Sequence, residues 1–249
     1  MAKVCIEDYE IQGIADAIRE KSENKEGLLP SEMPQAILDI PTDGSLELPF
    51  WYDYFTNVSF ANAIFPTGTD IVVDLQRWNG GIVSFNKAVG MKSIKIKTPF
   101  SDASMTAANY FTYFNTNTDE DVLETIDLSE TTTKFTSLQN FVPWRKKLVT
   151  IIGELDVAGS TSMSNAFSGC YELKDIRFAK GSIDRSLSFS YSSKLSTESV
   201  KSIINGLANL FELDKDTQKI TFHDDVSVTA EQRQDALDNG WVVEGGTTE

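Results

Sequence analysis

Cysteine is scarce in this chain of 249 residues, which contains only Cys5 and Cys170. A small extracellular domain stapled by disulfides carries many more, so the fold must rest on its apolar core, and a reducing compartment is the simplest setting for its assembly. Histidine is scarcer still, with His223 standing alone. A tetrahedral metal site or a serine nucleophile with an imidazole base would have to use that one ring, and no G-x-S-x-G elbow accompanies it. His223-Asp224-Asp225 therefore reads as a strand end that turns. Basic residues are outnumbered, 22 against 37 acidic, and the net charge of −15 repels phosphate backbones and anionic lipid. Nucleic acid is not expected as a partner. No stretch approaches the ~18 apolar residues of a membrane span, and Glu7, Asp8 and Glu10 interrupt the N-terminus where a secretion signal would be apolar. Membrane insertion is not expected either.

What the chain does have is a recurring apolar ladder. MKSIKI at Met91–Ile96, LETIDL at Leu123–Leu128, LKDIRF at Leu173–Phe178 and QKITF at Gln218–Phe222 share one pattern, with LVTIIG from Leu148 as a looser copy and DIVVDL at Asp70–Leu75 as an early one. Their central residues Ile94, Ile126, Ile151, Ile176 and Ile220 lie 32, 25, 25 and 44 apart, with Val73 placed 21 before the first. A unit this small cannot bury its own apolar face and must stack on its neighbours, which predicts an elongated slab of short strands in adjacent layers. The long last interval accommodates a helix, because Val200, Ile203, Ile204, Leu207 and Leu210 recur on one helical face. Ser196 or Thr197 is its expected N-cap.

The segment Asn165-Ala166-Phe167-Ser168-Gly169-Cys170-Tyr171-Glu172-Leu173-Lys174-Asp175-Ile176 resembles the AF-x-x-C-x-x-L-x-x-I unit of bacterial surface-antigen (BspA-like) leucine-rich repeats. In such a unit Phe167 plugs the layer between turns, Gly169 lets the chain bend, and Cys170 packs as a small apolar group. Before Leu148 the same place reads Phe141-Val142-Pro143-Trp144-Arg145-Lys146-Lys147, without the glycine or the small residue. Both ends resemble segments of bacteriophage particle proteins. Ile14–Ser22 and Leu28–Ile37 are similar to a leader module of tail, fibre and virion-associated proteins. Leu195–Ser199, Ile203–Ala208, and Thr229–Gln232 with Gly240-Trp241 are similar to the closing segment of phage leucine-rich repeat proteins.

Four regions follow. Residues 1–41 read as an N-terminal helical hairpin, with Ile11, Ile14 and Ile18 on one helix and Met33, Ile37 and Ile40 on the next. Too short to form a core alone, the hairpin is expected to dock through these six side chains, either on other virion proteins or as a cap on its own chain. Residues 46–90 form an aromatic-rich β region with turns at Pro66-Thr67-Gly68 and Asn79-Gly80-Gly81. Its Trp51, Tyr52 and Tyr54 suit core or subunit packing, or contact with a ligand such as a sugar ring. Residues 91–244 form the degenerate leucine-rich-repeat-like body, and 245–249 a flexible tail. The expected class is mixed α+β and β-rich: a helical hairpin, then stacked strands with an inserted helix near the C-terminus.

Catalytic, metal and cofactor signatures are not found in the sequence. Asn79-Gly80-Gly81 lacks the further glycines, lysine and helix of a phosphate loop. Asp119-Glu120-Asp121 lacks the alternating ligands and glycine of a calcium loop. Ser160, Thr161, Ser162 and Ser164 read as a polar loop. The 37 acidic residues guarantee some pair at glycosidase separation, which makes such pairs uninformative. The resemblances imply a non-enzymatic structural protein of a bacteriophage particle, assembled in the host cytoplasm: a tail or baseplate fibre, or a receptor-binding adhesin, anchored by its N-terminus. A head-decorating or head-fibre protein and a tail-associated polysaccharide-degrading enzyme are the alternatives. Host surface glycan or protein would be its target, and homo-oligomerisation, as a trimer by analogy with fibres, would follow from particle symmetry.

Replacing Ile126 or Ile176 by Asp is expected to abolish cooperative unfolding, since either change buries an unpaired charge between layers. Wild-type melting of both variants would refute the stacked arrangement.

Overall fold

The computed structural model describes residues 45–49, 58–60, 62–74, 83–85, 87–97, 120–130, 134–135 and 137–248. The expected N-terminal hairpin, with Ile11, Ile14, Ile18, Met33, Ile37 and Ile40, lies outside them. So do Trp51, Tyr52 and Tyr54.

Within the described residues the chain is mixed α/β with parallel sheets and two helices. Strands β1 (Ser45–Pro49), β3 (Ile64–Asp74), β5 (Val89–Lys97), β6 (Thr125–Glu130), β7 (Thr150–Leu155) and β8 (Asp175–Phe178) form one sheet in that order. Every pairing in it is parallel, so each circuit of the chain lays one strand beside the last. Short strands β2 (Val58–Ser59) and β4 (Val83–Ser84) pair in the same sense on the intervening stretches.

The apolar column explains the stacking. Register sets Ile71 beside Ile94, Ile94 beside Ile126 and Ile126 beside Ile151, and all four are buried. Ile176 extends the column in β8 and is 1% exposed. Each such side chain contributes about 1.5–3 kcal/mol by leaving water. The residue beside Ile94 is Ile71, whereas spacing had suggested Val73; Val73 instead lies beside Ile96. Nor is Pro66-Thr67-Gly68 a turn between strands. It lies inside β3, where a register shift between Ile64 and Thr69 absorbs it.

Beyond β8 the pattern changes. Helix α1 (Thr197–Gly206) takes the place of the next strand, capped by Ser196 as its sequence implies. It buries Val200, Ile203 and Ile204 and offers serine hydroxyls to the edge of β8. Ser199 Oγ accepts from Ile176 N (3.0 Å) and donates to Lys174 O (2.9 Å), while Ser202 Oγ accepts from Phe178 N (3.0 Å). Two side chains thereby perform the pairing that another strand's backbone would supply. This is why Gln218–Phe222, expected as a further rung of the same ladder, belongs elsewhere. It is β10, flanked by β9 (Leu187–Phe189) and β11 (Trp241–Glu244) in a separate three-stranded parallel sheet. Helix α2 (Ala230–Asp238) joins β10 to β11 and starts with a Thr229/Gln232 capping box. Residues after β11, read as a tail, return to the body: Thr247 N donates to Val226 O (2.8 Å) and its carbonyl accepts from Val228 N (2.9 Å).

Phenylalanines join the two parts. Phe167 meets Phe141 edge-on at 6.4 Å and stacks on Phe189 at 4.8 Å, and Phe189 lies 6.3 Å from Phe222. Phe167 thus fills the layer between turns as its motif implies.

Replacing Ser199 by Ala is expected to lower stability by about 1–3 kcal/mol, because it leaves the buried Ile176 N–H unpaired, while the Lys174 carbonyl keeps Ser196 N as its donor. The check is a lower urea midpoint at constant slope; an unchanged midpoint would refute the edge-capping role.

Candidate binding surfaces

The repeat turn that precedes each strand determines what reaches the surface. A backbone bond closes it from the fourth residue to the first: Ala63 N to Phe60 O, Ala88 N to Phe85 O, Arg145 N to Val142 O, Cys170 N to Phe167 O and Ser192 N to Phe189 O. The residue just before the donor takes a left-handed backbone in four of the five, at Asn62 (φ 60°), Lys87 (56°), Trp144 (66°) and Gly169 (74°). Trp144 therefore stands in the slot Gly169 fills one circuit later, and Arg145 in the slot of Cys170.

That last slot points inward. Ala88, Cys170 and Ser192 there are small, and Cys170 and Ser192 donate to the preceding circuit: Cys170 Sγ to Val142 O (3.1 Å) and Ser192 Oγ to Cys170 O (3.1 Å). Burial drives the Cys170 thiol up to about 12, so it serves as a neutral donor. Arg145 does the same over a longer reach. Its guanidinium, wholly buried, donates to Ala88 O (3.0 Å), Phe85 O (3.1 Å) and the carboxylate of Asp121 (2.6 Å). Burial raises the Asp121 carboxyl against the pull of Arg145, and lowers the Arg145 guanidinium against the pull of Asp121. Asp121, one end of the acidic cluster weighed for calcium, is thus an internal counter-ion, whereas Glu120 is exposed and Asp119 lies outside the described residues. No grouping of three or more metal-ligating side chains occurs among the described residues.

Two surfaces face outward. The first is the solvent side of the six-stranded sheet. Register aligns Asp70, Ser93, Thr125, Thr150 and Asp175 in one row, and Val72, Lys95, Asp127 and Ile152 in the next. Lys95 bridges Asp127 (3.6 Å) and Glu130 (2.6 Å), and Ser93 Oγ donates to Asp70 (2.6 Å). The hydrogen bond from Lys95 to Glu130 raises the lysine's pKa. Against the effect of its partial burial, Ser129 and Lys95 hold the Asp127 carboxyl below its usual range. The face is mostly polar, with Val72 and the exposed Ile152 at the two ends of its second row, and is spaced by the backbone register. The second surface is a row of exposed rings at the repeat turns: Trp144, Tyr171 and Tyr191.

The remaining sequence candidates resolve into structure. His223 closes β10 and accepts from Asp225 N at Nδ1 (3.1 Å), as a turn should. Ser160 and Ser162 belong to the turn column, where the Ser162 carbonyl accepts from Leu138 N (2.8 Å). The buried Arg145–Asp121 pair and the ring row escaped the sequence reading. A left-handed tryptophan in a glycine slot was the signal that could have revealed the latter. In comparisons with known proteins the chain matches no family model, no curated protein and no solved structure.

Replacing Arg145 by Met is expected to cost about 3–5 kcal/mol by stranding the Asp121 carboxylate, and adding Asp121→Leu should restore part of that loss. Urea unfolding of the two variants checks this; a double variant less stable than the single one would contradict it.

Proposed function

We propose that this chain is a non-enzymatic adhesion component of a bacteriophage particle, a tail or baseplate fibre protein that is held by its N-terminal module and presents leucine-rich-repeat-like layers to the bacterial envelope. The observation that supports this reading is the parallel ladder, whose register aligns outward residues from β3 to β8. Stacked circuits commit the core to internal support and hold surface groups at fixed spacing, the arrangement by which repeat proteins build extended binding surfaces. The BspA-like unit around Phe167–Ile176 and the phage-like segments at both ends support the same conclusion, and the net charge of −15 suits a soluble exterior that avoids nucleic acid.

Antibody-gold labelling of phage particles that contain this protein is expected to decorate the tail tip or baseplate, and a chain lacking residues 1–41 is expected to be absent from purified particles. Normal incorporation of the truncated chain would overturn the anchoring role; labelling confined to the head would overturn the tail assignment.

A further inference from the structure

We infer that the ring row Trp144–Tyr191–Tyr171 is a binding site for a neutral glycan. Single exposed apolar residues are ordinary, but three exposed aromatic rings linked through one of their number are not. Trp144 lies 6.3 Å from Tyr191 at a 56° tilt, and Tyr191 lies 5.8 Å from Tyr171 at 82°. They come from three successive circuits of the chain, yet they touch.

Gly169 makes this contact possible. It occupies the circuit between Trp144 and Tyr191, and a Cβ added there would sit 2.6 Å from indole Cε3. With no side chain in the way, the indole lies across that circuit and reaches the ring beyond. The arrangement carries a conformational cost. A bulky residue at φ 66° is a genuine outlier, and strain of about 1–3 kcal/mol of this kind collects at functional positions. The repeat turn sets that backbone, as at Asn62, Lys87 and Gly169, but it does not call for an aromatic side chain, and the ring remains 37% exposed.

Size and charge select the occupant. Tyr171 and Tyr191 are each 41% exposed. At roughly 150–250 Å² per aromatic side chain, the three offer about 250 Å² together. A stable protein partner needs about 800 Å² per side, so the row is too small to seat one and large enough for a few sugar rings. Pyranoses present apolar C–H faces to aromatic rings and hydroxyls at their edges. The tyrosine hydroxyls and the exposed Glu172–Lys194 ion pair, on the same two circuits as the tyrosines, provide donors and acceptors for those edges. The charged groups beside the tyrosines are paired with each other, so they offer no net charge to an anionic saccharide.

The proposal deepens the adhesion reading and rests on it for the source of the glycan. Its test does not depend on where the protein sits, so failure here leaves the particle assignment untouched. Cellohexaose, maltohexaose, chitohexaose and laminarihexaose, with polygalacturonate as the anionic comparison, would be titrated calorimetrically into the full-length chain. At least one neutral hexasaccharide is expected to bind more tightly than polygalacturonate, with Trp144→Ala and Tyr191→Ser each weakening it about tenfold or more, as residues that dominate a contact do. Tyr171→Ala, which leaves the Trp144 turn unchanged, carries the test if Trp144→Ala does not fold. Failure of all four hexasaccharides to bind at millimolar concentration would overturn the proposal, as would unchanged affinity in folded variants or tighter binding of polygalacturonate.

Discussion

The constraint on which this structure depends is the pairing of buried carbonyl groups where one circuit of chain lies on another. A strand satisfies its neighbour through the backbone ladder, and the turns do so in part, as Val142 N to Ala166 O and Trp144 N to Ser168 O show, but the inward carbonyls of the turns also draw on side chains, and an unpaired buried carbonyl is costly. The chain answers with one inward column of side-chain donors. Ser192 serves Cys170, Cys170 serves Val142, and Arg145 reaches Ala88 and Phe85. Arg145 needs its length because its acceptors belong to the circuit before the one that contains Asp121. Asp121 then supplies the charge without which a buried guanidinium would be untenable. A small residue sufficed wherever the circuits are adjacent.

Serine performs the same service at the end of the large sheet. The hydroxyls of α1 terminate the β8 edge, so the sheet stops there without leaving open N–H groups on that side. A second parallel sheet then starts from β9, joined to the first through Phe167, Phe189 and Phe222. The result is a supporting frame whose two outward surfaces, the charged sheet face and the ring row, inherit their spacing from backbone register. Rigidity of this kind lowers the entropy lost when a surface engages a ligand.

Parts of this were legible in advance. Ile94, Ile126, Ile151 and Ile176 announced themselves because a buried column tolerates little but branched apolar side chains, and α1 did so through the spacing of Val200, Ile203 and Ile204. Ile71 was missed in favour of Val73, since both are buried and alternate on one strand, and only pairing with Ile94 distinguishes them. Ile220 matched the repeat pattern perfectly well but paired with Leu187, because pattern specifies burial and does not specify the neighbour. Arg145 drew no reading of its own from the sequence, because its partners lie 24 to 60 residues away.

By itself, then, the sequence determined that short apolar segments would lie in adjacent layers, that a capped helix would follow the fourth repeat, and that the chain would carry a net negative charge. Those outcomes depend on local periodicity and composition. Tertiary structure alone decided which circuits adjoin, that a tryptophan would occupy a glycine's turn and lean over Gly169, and that Arg145 and Asp121 would neutralise one another in the interior. Each of these depends on distances between residues far apart in the chain, and such distances exist only once the layers have stacked.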